Sequence, residues 1–106
     1  MASPAPQNAF LVVVDDFTDP DALQRRLAAR PAHLAGATKS RVQGALSLAG
    51  AMLDSHESGK MVGSALIVNA ASSEEVLELL KSDPYTTGRA WNLDTVRIYP
   101  FKQATF

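Results

Sequence analysis

Cysteine is absent from this 106-residue sequence, which removes disulfides, thiolate nucleophiles and cysteine-based zinc or iron–sulfur sites together. Histidine is scarce, and His33 and His56 are too few for most histidine-rich metal centres. Charge of one sign is not in excess either. Ten basic residues stand against eleven acidic ones, so the formal charge of -1 leaves no surplus to hold a phosphate backbone or an anionic membrane surface. Nucleic acid and membrane are therefore not expected as partners. The longest apolar run, Ala9 to Val14, falls far short of the roughly 20 residues that span a bilayer. Met1 to Asn8 lacks both the basic start and the apolar core of a secretion signal, which points to a cytoplasmic protein with a loose tail over 1–8. A G-x-S-x-G elbow, a phosphate-binding glycine loop, a dinucleotide fingerprint and repeats are likewise missing.

What is present suits one packed domain over 9–106, since 46% of the residues are apolar and 20% charged. Phe10 to Val14 is β-branched and continuously apolar up to Asp15 and Asp16, as in a strand buried on both faces. Thr18-Asp19-Pro20-Asp21 offers a helix cap, an early proline and acid for the first turn. The helix that follows carries Ala22, Leu23 and Leu27 as its apolar stripe, and Pro31 is expected to kink or split it before it resumes to about Gln43. Gly44 stops it. Ala45–Leu53 and Met61–Asn69 read as two strands of a hairpin joined by the polar Asp54–Gly59 loop, where His56 is placed in solvent. Ser72-Ser73-Glu74-Glu75 forms a capping box ahead of a short helix with Val76, Leu77 and Leu80 inward, and Trp91–Phe101 returns as the last strand.

The order β-α-β-β-α-β predicts an α+β fold of the ferredoxin-like kind, an antiparallel sheet with two helices on one face. Both faces of the strands are apolar, with Phe10, Val12 and Val14 opposite Leu11 and Val13. Two helices cover one face only, so the other is expected to pack on a second copy in a two-fold homodimer.

Several segments carry a likeness: Arg30-Pro31-Ala32-His33-Leu34, Gly44 with Gly50, Asp83-Pro84-Tyr85 with Gly88, and Val96 to Phe101. From about Ala9 to Phe101 the chain resembles the YCII (YciI-like) family. The resemblance implies a dimeric α+β barrel with a pocket beside the helices, in which His33 and Asp83 form the active-site pair. It further implies lyase or isomerase chemistry without a cofactor on a small cyclic or aromatic metabolite. One branch of the family acts on chlorinated hydroxyquinols as a dehydrochlorinase, and related barrels include muconolactone isomerase and cofactor-free monooxygenases. Two departures bear on pocket shape: Gly50-Ala51 stands where Gly-Pro is common, and Ala9-Phe10 where a tyrosine is usual.

The residues have their own reading beside that likeness. His33 has Ala29, Gly36 and Ala37 at helical spacing, which leaves room for a ligand next to a ring suited to moving protons. Asp83 can orient that imidazole as in a catalytic triad, or can simply cap the amides of an Asp-Pro turn. Arg30, Tyr85, Ser47 and Asp15 are candidate substrate contacts, and Ser64 is an alternative to Ser47 as a strand hydroxyl facing the pocket. Arg25, Arg26, Lys39 and Arg41, with Arg30 as the alternative to its contact role, read as an ordinary solvated basic face. Against the enzyme stand two further readings, a dimeric module that only binds a small ligand and a purely structural dimer; the contact between His33 and Asp83 inside a cavity separates them.

Overall fold

A computed structural model describes residues 7–106 as a four-stranded antiparallel sheet with three helices, an α+β fold. The elements run β1 (Asn8–Asp16), α1 (Ala22–Val42), β2 (Leu46–Leu53), β3 (Met61–Ala70), α2 (Ser73–Lys81), α3 (Pro84–Thr87) and β4 (Trp91–Phe101). Strand order is β2-β3-β1-β4, which puts the first strand at the centre beside the third and fourth. Of the tail expected over 1–8, residues 1–6 lie outside the described residues, and Asn8 already pairs with Ala70 as the first residue of β1.

The core lies between the sheet and the helices. Phe10, Val12 and Val14 of β1 and Leu66, Val68 and Ala70 of β3 point into it and meet Val76 and Leu80 of α2, Tyr85 of α3 and Trp91 of β4. Strand alternation sends Leu11 and Val13 to the opposite face, where they pair with Ile67 and Ala65. Leu48 and Tyr99 extend that face and stand half in solvent, at 54% and 50% exposure.

Helix α1 departs from expectation in three ways. It starts at Ala22 after the N-cap Asp21, whose side chain makes no cap bond, while the Asp19 carboxylate accepts one hydrogen bond from the Asp21 amide at 3.3 Å and two from Arg25 at 2.7 Å. That pairing holds the Asp19 carboxyl down at about 2. It also runs unbroken through Pro31, whose missing N–H leaves only the Leu27 carbonyl without its amide, on a turn where Leu27 is 45% exposed. Lastly, its buried stripe is Ala22, Arg26 and His33, whereas Leu27 and Leu34 face outward. Gly44 ends it in the left-handed region at φ +83°, a conformation glycine adopts without a Cβ penalty.

Helix α2 has half of its capping box: Ser72 Oγ accepts from the Glu75 amide at 3.2 Å, while no return bond from the Glu75 carboxylate forms among the described residues. Where the sequence suggests an Asp-Pro turn at Asp83, the chain forms a third helix of one turn. Pro84 opens it with a φ already suited to a helix, and Asp83 caps it.

Candidate functional site

The cap residue Asp83 is also where the two halves of the molecule meet chemically. Its Oδ1 accepts the Tyr85 amide at 2.8 Å and lies 2.8 Å from His33 Nδ1. One oxygen thus makes both contacts, to the imidazole and to a turn amide, that its sequence context left as alternatives. An ionised carboxylate only accepts, so Nδ1 carries the ring hydrogen and Nε2 keeps its lone pair. Among the described residues no protein hydrogen bond engages Nε2. The imidazole stacks on the Tyr85 ring at 3.8 Å and 15°, and meets the edge of Trp91 at 5.5 Å. Two aromatic contacts and one hydrogen bond therefore fix its plane.

His33 is only 6% exposed, yet it borders two cavities. The first, of about 180 Å³, is shared with Arg26, Arg30, Ser64 and Tyr85 and is walled by Ala49 and Ala51 of β2. The second, of about 190 Å³, reaches Asp83 and Trp91. Benzene occupies an apolar cavity of about 150 Å³, so either space accepts a six-membered ring with small substituents.

A second polar group lies under the first cavity. Arg26 is 2% exposed and Asp16 6%, and Arg26 Nη1 donates to Asp16 Oδ1 at 2.8 Å. Arg26 Nη2 and Trp91 Nε1 both donate to Ser64 Oγ, at 2.9 and 3.0 Å. The Arg26 guanidinium also lies 4.5 Å from the Tyr85 ring centroid, linking this network to the ring that supports His33. Burial pushes the Asp16 carboxyl above its ordinary 3.8, with Arg26 opposing the shift. Among the described residues Asp16 Oδ2 and Arg26 Nε have no hydrogen-bond partner.

The structure brings together His33, Asp83 and Tyr85, with Arg30 on the exposed rim of the first cavity. Ser47 and Asp15 lie elsewhere. Ser47 accepts from Asn69 Nδ2 at 2.8 Å on the exposed side of β2, and Asp15 pairs with Arg97 at 3.1 Å on the sheet face away from the helices. Their neighbours in the pattern, Ser64 and Asp16, occupy the inner positions. Arg26, expected on a solvated basic face, is instead buried at 2% exposure because Asp16 and Ser64 supply its partners. Neither it nor Asp16 and Trp91 were singled out from sequence as site residues, although two signals were available. Phe10, Val12, Val14 and Asp16 share one strand face, and Arg26 lies seven residues, two helical turns, before His33.

The YCII-related domain matches residues 10–102. The chain belongs to the YCII family. Among curated relatives, the aspercryptin biosynthesis cluster protein B of Emericella nidulans is 36% identical over 97 residues, 87% of this chain and 61% of that protein. The chain therefore spans less than two thirds of that relative's length. The fusaric acid biosynthesis protein 2 of Gibberella fujikuroi is 30% identical over 88% of this chain and 91% of that protein. Among solved structures, the 5-chloro-2-hydroxyhydroquinone dehydrochlorinase of Burkholderia phenoliruptrix, in complex with 2,5-dihydroxybenzoquinone, superposes with a TM-score of 0.73 at 26% identity, covering 91% of this chain and 95% of that one. A dehydrochlorinase is a lyase-type enzyme, and its YCII-like fold extends over nearly the whole of this YCII chain.

Proposed function

We propose that this YCII protein is a small lyase- or isomerase-type enzyme in which His33, oriented by Asp83, moves a proton on a compact cyclic or aromatic metabolite. The observation that carries this reading is the 2.8 Å contact between His33 Nδ1 and Asp83 Oδ1, in a ring whose Nε2 is unclaimed among the described residues and which borders two ring-sized cavities. In an elimination, Nε2 accepts the proton, the electron pair it leaves forms the new π bond, and the leaving group departs with its own pair. In an isomerisation, the same nitrogen returns the proton to another atom. Asp83 stabilises the imidazolium formed in either case. The dehydrochlorinase neighbour and its bound dihydroxybenzoquinone support a polyhydroxylated ring as the substrate class. Both steps need only these side chains, which is the basis for a mechanism without a cofactor.

The test reads the imidazole tautomers by ¹⁵N NMR in the ligand-free protein and then with 2,5-dihydroxybenzoquinone. Wild-type His33 is expected as the Nδ1–H form, and Asp83→Asn is expected to release that preference. The quinone should move the His33 ring resonances and leave those of the exposed His56 in place. A His33 tautomer indifferent to Asp83→Asn, or two histidines that respond alike to the quinone, would sink the catalytic pair and leave a ligand-binding or structural dimer.

The second half of the reading is a homodimer through the helix-free face of the sheet. Leu11, Val13 and Ile67 lie centrally there, with the exposed Leu48 and Tyr99 around them, which suits a self-complementary apolar contact. The wild type is expected to sediment at twice the 11.3 kDa chain mass, and Leu48→Glu to sediment as a single chain. A wild type that sediments as one chain would refute the dimer.

A further inference from the structure

Ser64 has a hydroxyl whose bonding is only partly accounted for. A serine oxygen has two lone pairs and one hydrogen. Both lone pairs are engaged, by Arg26 Nη2 at 2.9 Å and Trp91 Nε1 at 3.0 Å. The hydrogen has no acceptor among the described residues, and the side chain, 3% exposed, borders the same cavity as His33, Arg30 and Tyr85. With two directions around the oxygen taken by donors, the O–H has the remaining one. A guanidinium donating to that oxygen polarises it, so its hydrogen is a stronger donor than that of an ordinary serine.

Stability gives no separate reason for the arrangement. The network buries an arginine and an aspartate and leaves Arg26 Nε and Asp16 Oδ2 without partners among the described residues, whereas an apolar replacement of such a pair is often neutral or better. A buried cation held on a serine that faces a cavity is explained by what that serine does in the cavity.

We infer that Ser64 is the oxygen-binding donor of the site, placing its O–H against a carbonyl, enolate or phenolate oxygen of the ring substrate while His33 works on the proton. Arg26, which borders the same cavity and donates to the Ser64 oxygen, polarises that hydroxyl and is then a positioning residue. The inference rests on the ring-substrate reading above for its ligand class. A fixed donor at the oxygen where charge develops favours the transition state over the ground state, so Ser64 serves catalysis as well as binding.

The experiment measures binding of 2,5-dihydroxybenzoquinone to the whole chain, apart from any turnover. Ser64→Ala removes the donor, and Ser64→Thr keeps the hydroxyl with both acceptor positions. Ser64→Ala is expected to weaken quinone binding about tenfold to a hundredfold, and Ser64→Thr to retain the wild-type affinity. Because Ser64→Ala also strips the acceptor from two buried donors and can fail to fold, a third reading needs no substitution. Trp91 is the single tryptophan, so its indole N–H is one resolved signal. It should move downfield as the quinone binds, since an oxygen that donates to an anion becomes a better acceptor. Equal affinities for wild type and Ser64→Ala overturn the assignment, as do an indole signal that stays or moves upfield and a wild type that does not bind the quinone. The tautomer test of His33 and Asp83 is made without ligand, so failure of the proton-transfer pair and failure of the Ser64 donor are seen separately.

Discussion

His33→Gln is expected to slow chloride release from 5-chloro-2-hydroxyhydroquinone by about 10²- to 10⁴-fold relative to the wild type, the range that one positioned acid–base group supplies. Glutamine keeps a polar side chain that can still bond Asp83, but its amide accepts no proton near neutral pH, so chemistry is removed with little change in packing. Quinone affinity should change far less than turnover, because the imidazole acts on the proton in flight rather than holding the ring. Asp83→Asn should act in the same direction. An amide in that place can present its NH₂ to Nδ1, which favours the wrong tautomer, and it cannot stabilise the imidazolium; loss of an orienting carboxylate costs orders of magnitude in a serine-protease triad. Chloride release followed by ion chromatography decides the matter. Equal rates for wild type and His33→Gln would remove His33 from the chemistry, and a wild type that releases no chloride would remove this substrate.

The other large effect is on stability. Arg26→Met should destabilise the fold by about 3–5 kcal/mol, because it leaves the Asp16 carboxylate buried without its cation. The loss should depend on pH, with a definite sign. Burial already raises the Asp16 carboxyl above 3.8 against the pull of Arg26. Without Arg26 the raising influence acts unopposed, and the folded state holds its proton to higher pH than the unfolded chain does. A group raised in the folded state contributes stability at low pH that is lost as pH rises through its folded value. The gap between variant and wild type should therefore be widest at pH 7 and narrow as the pH falls toward 4. The double variant Asp16→Val/Arg26→Met, which continues the valine pattern of β1, should recover most of the loss, since no charge is then left unpaired. Urea unfolding of the three proteins across that pH range tests both claims; an Arg26→Met gap that is small, or that widens on acidification, would contradict them.

Much of the architecture could be read from local patterns. β1 announced itself by Phe10 to Val14, and its alternation correctly assigned Phe10, Val12 and Val14 to one face and Leu11 and Val13 to the other. The hairpin of β2 and β3 and the β-α-β-β-α-β order followed from turn residues and periodicity. Such signals are short-range, and each element carries its own. Helix α1 is where the pattern misled. Its leucines proposed a stripe through Leu23 and Leu27, while the buried face holds Arg26 and His33. A helix buries a polar stripe only when partners wait on the other side, and those partners, Asp16, Ser64 and Asp83, lie 10, 38 and 50 residues away along the chain. Helical periodicity cannot see them.

By itself, then, the sequence determined the four strands and the two longer helices, their order, the two-faced sheet and, through the motifs around His33 and Asp83, the family, but not the one-turn helix α3. Only the tertiary structure decided which polar residues turn inward. It chose Ser64 over Ser47 and put Asp16 rather than Asp15 toward the helices. The reason is physical: strand parity allows either face to be the inner one, and a buried charge is tolerated only where a distant strand or helix end supplies its counterpart.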